Sequence, residues 1–100
     1  MYVFTSSDWD LALHEFTDLL VKLLGKDLVM VVGLDESASV RDSNVLVVVD
    51  KVTEGVRREL IRAELEVNDK HDCTISYYVV GEGEGDVIRE FERVGEKIRG

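Results

Sequence analysis

Apolar residues recur at spacings of three and four through the first quarter of the chain: Trp9, Leu13 with Ala12, Phe16, Leu20 with Leu19, and Leu23. That period lays a single apolar stripe along a helix. The hydroxyls of Thr5, Ser6 and Ser7 supply an N-cap, Asp8 and Asp10 fall in the first turn where the helix dipole favours acids, and Gly25 followed by Lys26 ends it. A short apolar start, Tyr2, Val3 and Phe4, precedes the cap.

The pattern then changes period. Leu28 to Val32 and Val45 to Val49 are unbroken apolar runs, Val-rich and too short for helices, and each reads as a buried strand. Between them, Leu34 to Asn44 turns polar with Ala38 and Val40 as its anchors, a loop or one irregular helical turn. Thr53 caps a second helix over Glu54 to Glu66, with Val56, Leu60, Ala63 and Val67 on one face. Asn68 to Asp72 breaks that pattern, and Cys73 to Val80, rich in β-branched and aromatic residues, predicts a third strand. After Gly81, Gly83 and Gly85, Asp86 caps a last helix carrying Val87, Phe91, Val94 and Ile98. The order predicts one α/β (α+β) domain over residues 1–100, with a small three-stranded mixed sheet and about three helices, the first and last packed on it through Trp9, Phe16, Phe91 and Ile98. Both faces of Val45 to Val49 are apolar, so Leu46 and Val48 need a cover, either a helix of the same chain or a second subunit.

Composition narrows the class. With 45% hydrophobic and 33% charged residues the chain is globular, and a domain of this size buries about 65% of its unfolded surface. A net charge of −9 repels phosphate backbones and anionic lipids, which argues against nucleic acid or a membrane as partner. The lone Cys73 cannot form an internal disulfide and no run approaches a membrane span, which together point to the cytoplasm. The absence of Gln and Pro, with only Asn44 and Asn68 as labile amides, fits thermophile composition.

The stretch Val31 to Asp50, VVGLDESASVRDSNVLVVVD, resembles the signature of the DNA-polymerase-β-type nucleotidyltransferase superfamily, particularly its minimal single-domain members. In that family a strand ends in Gly-Ser, a loop of about ten residues follows, and the next strand opens with Ser-Asp-hydrophobic-Asp. Gly33 and Ser43 stand at the family's glycine and serine, with Val47, Val48 and Val49 continuing the apolar run. The resemblance implies nucleotide-binding positions at Gly33, Leu34, Ser43, Asn44 and Leu46.

Its departures fall on the chemistry. The two metal-binding aspartates would lie at Asn44 and Leu46, alternate positions on one strand face. In the family they hold two Mg²⁺ ions against the nucleotide phosphates; Leu46 has no oxygen ligand and Asn44 no charge. The phosphate-holding serine is Leu34, and a third acid on the third strand would fall near Ile75 or Ser76. Asp50 shares the face of Asn44 and Leu46 but lies four residues beyond Leu46, about 13 Å away, too far to bridge the same ion. Asp35 and Glu36 in the polar loop read as solvated acids.

The resemblance therefore implies a degenerate member with no catalytic residues, no resident metal and no cofactor, acting as a binding or regulatory partner. Minimal members of the family pair with small helical proteins of the HEPN type in toxin–antitoxin modules, so the resemblance implies an antitoxin-like role and a small protein partner or a homodimer. Two alternatives stand beside it. One is an active, Mg²⁺-dependent nucleotidyltransferase whose site is rebuilt from Asp42 and Asp50 or from a partner's acids. The other is a structural or assembly module unrelated to the family.

Other candidates resolve into plainer roles. Asp69, His71, Asp72 and Cys73 include three metal-ligand types but sit among turn formers and read as a turn. His14 lies on the polar side of the first helix, and Cys73 reads as a small core residue rather than a nucleophile. The Gly81–Gly85 stretch lacks phosphate-loop spacing and carries Glu82 and Glu84, so it reads as a hinge.

Overall fold

The computed structural model describes residues 7–100; the expected cap at Thr5 and Ser6 and the apolar start at Tyr2 to Phe4 lie outside them. Helix α1 runs Ser7–Leu24 with Asp8 and Asp10 in its first turn, and it ends where Gly25 takes φ +56°, a left-handed conformation that glycine adopts without steric cost. A short 3₁₀ turn, Gly25–Asp27, leads into β1 at Leu28–Gly33. Strand β2 is Val45–Val49, as its apolar run predicts. Helix α2 spans Glu54–Lys70, and the Thr53 hydroxyl accepts from the Val56 N–H at 3.1 Å. Strand β3 is Tyr77–Gly81, helix α3 Gly85–Val94, and a fourth strand, β4, is Glu96–Arg99.

Five expectations are corrected. The mixed sheet has four strands, not three, in the order β3-β2-β1-β4. The last helix stops at Val94, and Ile98 belongs to β4, where it packs against the α1/α2 core from a strand. Asp86 is not the cap of α3; that position is Glu84, which makes no side-chain bond, while Asp86 sits in the first turn paired with Arg89 at 2.6 Å. The second helix runs four residues past Glu66, and the third strand begins at Tyr77 rather than Cys73.

Strand β1 is antiparallel to both β2 and β4, whereas β2 and β3 are parallel and joined by α2. A parallel pair needs such a crossover. Alternation divides the sheet between two cores. Val31, Val45, Val47 and Val49 face α1 and α2, where Phe16, Leu20, Leu60 and Val67 close over them. Val32, Leu46, Val48 and Val80 face α3, which covers them with Val87 and Phe91. Leu46 and Val48 are fully buried by this chain's own helix. Of the two covers that the sequence left open for Leu46 and Val48, the helix of the same chain is the one that lies over them. Burying each of these side chains contributes roughly 1.5–3 kcal/mol.

The turn from α3 into β4 depends on Gly95. A Cβ there would stand 2.5 Å from Leu34 Cδ2 and 2.6 Å from the Gly33 carbonyl oxygen, closer than any real contact, so a residue without a side chain lets β4 reach the edge of β1.

Candidate functional site

The five positions that the resemblance marks come together at the C-terminal end of β1 and the entry to β2. Gly33 closes β1 beneath Leu13, whose Cδ1 would lie 2.8 Å from a Cβ at that position. Leu34, where the resemblance would put a phosphate-holding serine, is buried; its N–H donates to Asn44 O at 2.9 Å and its carbonyl accepts from Trp9 Nε1 at 2.8 Å. Ser43 is also buried, exchanging backbone bonds of 2.9 and 3.0 Å with Val40 while its hydroxyl turns back to Arg41 O at 3.4 Å.

Asn44 is the hub. Its Nδ2 donates to Thr74 O at 2.9 Å and to Glu36 O at 3.4 Å, and its Oδ1 accepts from Ser76 N–H at 2.9 Å. Its own N–H donates to Ser76 O at 2.9 Å. An amide carries two donors and one acceptor oxygen, and here every one of those groups is engaged by the protein's own backbone. Aspartate in this place would have nothing to donate to the two carbonyls. The neighbouring family position, Leu46, lies under Phe91 and Val87 in the second core.

The positions where a third acid would fall, Ile75 and Ser76, are also structural. Ile75 is buried, and Asn68 brackets its backbone, accepting from its N–H at 2.8 Å and donating to its carbonyl at 3.1 Å. Asp35, Glu36, Asp42 and Asp50 are exposed. Among the described residues no three His, Cys, Asp or Glu side chains converge as a metal site would require.

Between β1 and β2 the loop folds into a tight hairpin tip, Val40 to Ser43, not a helical turn. Arg41 and Asp42 occupy left-handed backbone, at φ 54° and 62°, the geometry of a two-residue turn that matches sheet twist. For arginine this conformation costs about 1 kcal/mol. Offsetting it, Arg41 Nε donates to Glu90 Oε1 on α3 at 2.9 Å, and its guanidinium lies 5.8 Å from the Tyr78 ring centroid, with Tyr78 in turn stacked on Phe91 at 6.2 Å. Glu90 holds the Arg41 guanidinium above its ordinary pKa. The loop is thus strapped over α3, and the sequence reading assigned Arg41, Tyr78 and Glu90 no role. The sequence marks the tip only through Asp42, since aspartate tolerates left-handed backbone while arginine and the lack of glycine give no signal.

His71 does meet acids, but as an ion cluster rather than a metal centre. Its Nε2 lies 2.9 Å from Glu15 Oε1 and its Nδ1 3.4 Å from Asp8 Oδ1, while Lys70 Nζ donates to Glu15 Oε2 at 2.6 Å. With a carboxylate at each ring nitrogen the charged imidazolium is favoured, and the hydrogen bond to Glu15 leads in raising the His71 pKa. Asp69 and Asp72 stay exposed outside it. Burial, then the charges of Glu36, Asp8 and Asp72, push the Cys73 thiol up, the opposite of a nucleophile's requirement. His14 is exposed, with Nδ1 2.8 Å from Asp10 O.

On the α1 side of the sheet an open groove of about 430 Å³ lies between Trp9, Leu13, Leu34 and Ile98, rimmed by Asp10, Asp35 and Glu96. It shares only Gly33 and Leu34 with the family positions, and its carboxylates disfavour a nucleotide's phosphates. No helix among the described residues is long and apolar enough to cross a membrane. No family model, curated protein or solved structure matches this chain.

Proposed function

We infer that this chain is a non-catalytic relative of the minimal nucleotidyltransferases that works by binding other proteins. The observation that carries the reading is Asn44: the side chain at the family's first metal-ligand position is turned into a backbone clasp joining the β1–β2 loop, β2 and the approach to β3. The buried Leu34 and Leu46 agree with it, since a phosphate position and a second ligand position are both filled with hydrocarbon. The order α1-β1-β2-α2-β3 around a mixed sheet also suits the family core that the resemblance leads one to expect. The function that follows is that of a regulatory or antitoxin-like partner for a small helical protein, with no cofactor of its own.

Titration of Mg²⁺-ATP and Mg²⁺-GTP by calorimetry tests this. No heat of binding at micromolar strength and no transfer of labelled nucleotide to any acceptor are expected. Transfer that disappears in Asp42→Asn or Asp50→Asn would overturn the reading in favour of a rebuilt enzyme site.

A further inference from the structure

The two edges of the sheet differ. Strand β4 reads Glu-Lys-Ile-Arg and meets β1 through a shift in register, and charge and irregularity of this kind blunt an edge. Strand β3 reads Tyr-Tyr-Val-Val-Gly, pairs with β2 in unbroken register, and carries neither charge nor proline. Its outer side is a row of hydrogen-bonding groups. Ser76 O accepts from the N–H groups of Asn44 and Val45 and so points toward β2, which by alternation turns the N–H and C=O of Tyr77 and Val79 outward. Two residues earlier, the outward groups of Ile75 are occupied by the Asn68 amide; among the described residues nothing does the same for Tyr77 or Val79.

The helix above this edge is also unfinished. At 100° per residue, Arg57, Ile61, Glu64, Leu65 and Asn68 share one flank of α2. The flank lies on the β3 side: Asn68 bonds the Ile75 backbone just ahead of β3, while Lys70 on the opposite flank bonds Glu15 of α1. Ile61 and Leu65 are 49% and 63% exposed there, one turn apart. Glu64 is partly buried with no salt-bridge partner among the described residues, and burial raises its pKa.

We propose that β3 pairs antiparallel with β3 of a second copy of this chain, merging two four-stranded sheets into one of eight, with α2 packed against α2 across the two-fold axis. The spacing fits. Helices α1 and α2 share one face of a four-stranded sheet, so each covers about two strands, and adding a copy one strand spacing beyond β3 sets the two α2 helices roughly 10 Å apart, an ordinary packing distance. Since α2 links parallel strands it runs opposite to β3, and the two-fold makes the helices antiparallel. Ile61, near the helix midpoint, then meets its counterpart and Leu65. Arg57 and Arg58 in the N-terminal half of one helix face Glu64 in the C-terminal half of the other, which gives that carboxylate the cation it lacks, and Glu54 falls toward the neutral Asn68. A chain of net charge −9 can associate with itself only through a patch that is uncharged or balanced, and here the β3 edge is uncharged while Arg57 and Glu64 balance on the α2 flank. The proposal stands on the β3 edge and the α2 flank, independently of whether the Asn44 region binds nucleotide.

Light scattering and sedimentation of the full chain at high micromolar concentration are expected to give twice the chain mass. Ile61→Glu with Leu65→Glu is expected to give a folded monomer by the same measurements, whereas Leu11→Glu, an equally exposed site on α1, leaves the dimer intact. Glu64→Arg alone is expected to weaken the dimer by about tenfold and Glu64→Arg with Arg57→Glu to restore it. In hydrogen exchange the Val79 amide is slow in the dimer and fast on dilution. A wild-type monomer at high micromolar concentration, a dimer that survives both glutamates, or a Val79 amide that exchanges equally fast in the dimer would each overturn the proposal.

Discussion

Asn44 and Ser76 hold each other in both directions: the Asn44 N–H donates to Ser76 O at 2.9 Å, and the Ser76 N–H donates to Asn44 Oδ1 at the same distance. The side chain thereby extends the parallel β2–β3 ladder by one step, and its Nδ2 anchors Thr74 beyond it. A residue so engaged cannot be exchanged for the family's aspartate without loss. Asn44→Asp replaces a donor by an acceptor facing the carbonyls of Thr74 and Glu36, and a buried side chain left without its hydrogen-bond partners costs about 1–3 kcal/mol. Urea unfolding of Asn44→Asp is expected to show a lower midpoint by that amount at unchanged slope, with no gain of Mg²⁺ binding.

Stability is expected to depend on pH through Glu15 and His71. The His71 pKa is raised above its ordinary 6.5, first by Glu15, so its contribution is fully present below that value and is lost as pH rises through the higher folded one. The Glu15 pKa is lowered below its ordinary 4.5, first by Lys70 and then by His71, so its contribution is present above that value and is lost as pH falls through the lower folded one. The cluster stabilises most between the two. Thermal melts from about pH 5 to about pH 9 should show a declining alkaline shoulder that His71→Gln flattens. A wild-type profile indistinguishable from that of His71→Gln would remove the cluster from the account.

Gly95→Ala is expected to destabilise the chain by about 1–3 kcal/mol through overpacking. The backbone of Gly95 is extended, at φ −114°, so the effect comes from contact and not from dihedral strain. Because one obstacle is the Gly33 carbonyl itself, no rotamer change relieves it. Hydrogen exchange should locate the loss in β4, with α2 retaining its protection.

Phe91→Ala removes the largest side chain over Leu46 and Val48 and is expected to cost about 3–5 kcal/mol. Because Tyr78 stacks on Phe91 and Arg41 lies over Tyr78, the same change should loosen the hairpin tip. Binding of a hydrophobic dye by the variant and not by the wild type would show the second core opened.

The elements that rest on long apolar periods were legible in the sequence. Trp9, Ala12, Leu13, Phe16 and Leu20 of the first stripe and the face of Val56, Leu60, Ala63 and Val67 are buried as their spacing predicts, with Leu19 and Leu23 packed half-buried beside them, and the runs at Leu28 and Val45 are strands. What failed did so where tertiary contact replaced local pattern. Ile98 continues the spacing of Val87, Phe91 and Val94, so it reads as helix, yet Gly95 breaks the helix and pairing with β1 supplies bonds that no local signal announces. Cys73 to Ser76 has strand composition, but Asn68 and Asn44 side chains take backbone bonds there that a ladder would otherwise make. Asn68 and Asp69 read as turn formers, but the helix runs through them to its cap at His71. At the candidate site the want of an acid at Asn44 and Leu46, where the resemblance would put two, was legible, whereas the clasp made by Asn44 was not, because Thr74 and Ser76 are about thirty residues away in sequence.

The pairing of β1 with β4 fixes when the fold can be completed. Strand β1 takes one neighbour from Val45–Val49 and the other from Glu96–Arg99, so the run Leu28–Gly33 lacks its second neighbour until synthesis has passed Arg99, 66 residues beyond Gly33. At ordinary rates of synthesis that wait is roughly 3 to 13 seconds. The interval leaves a five-residue apolar segment, Leu28 to Val32, without its charged neighbour, and it ties the completion of β1 to a strand far along the chain.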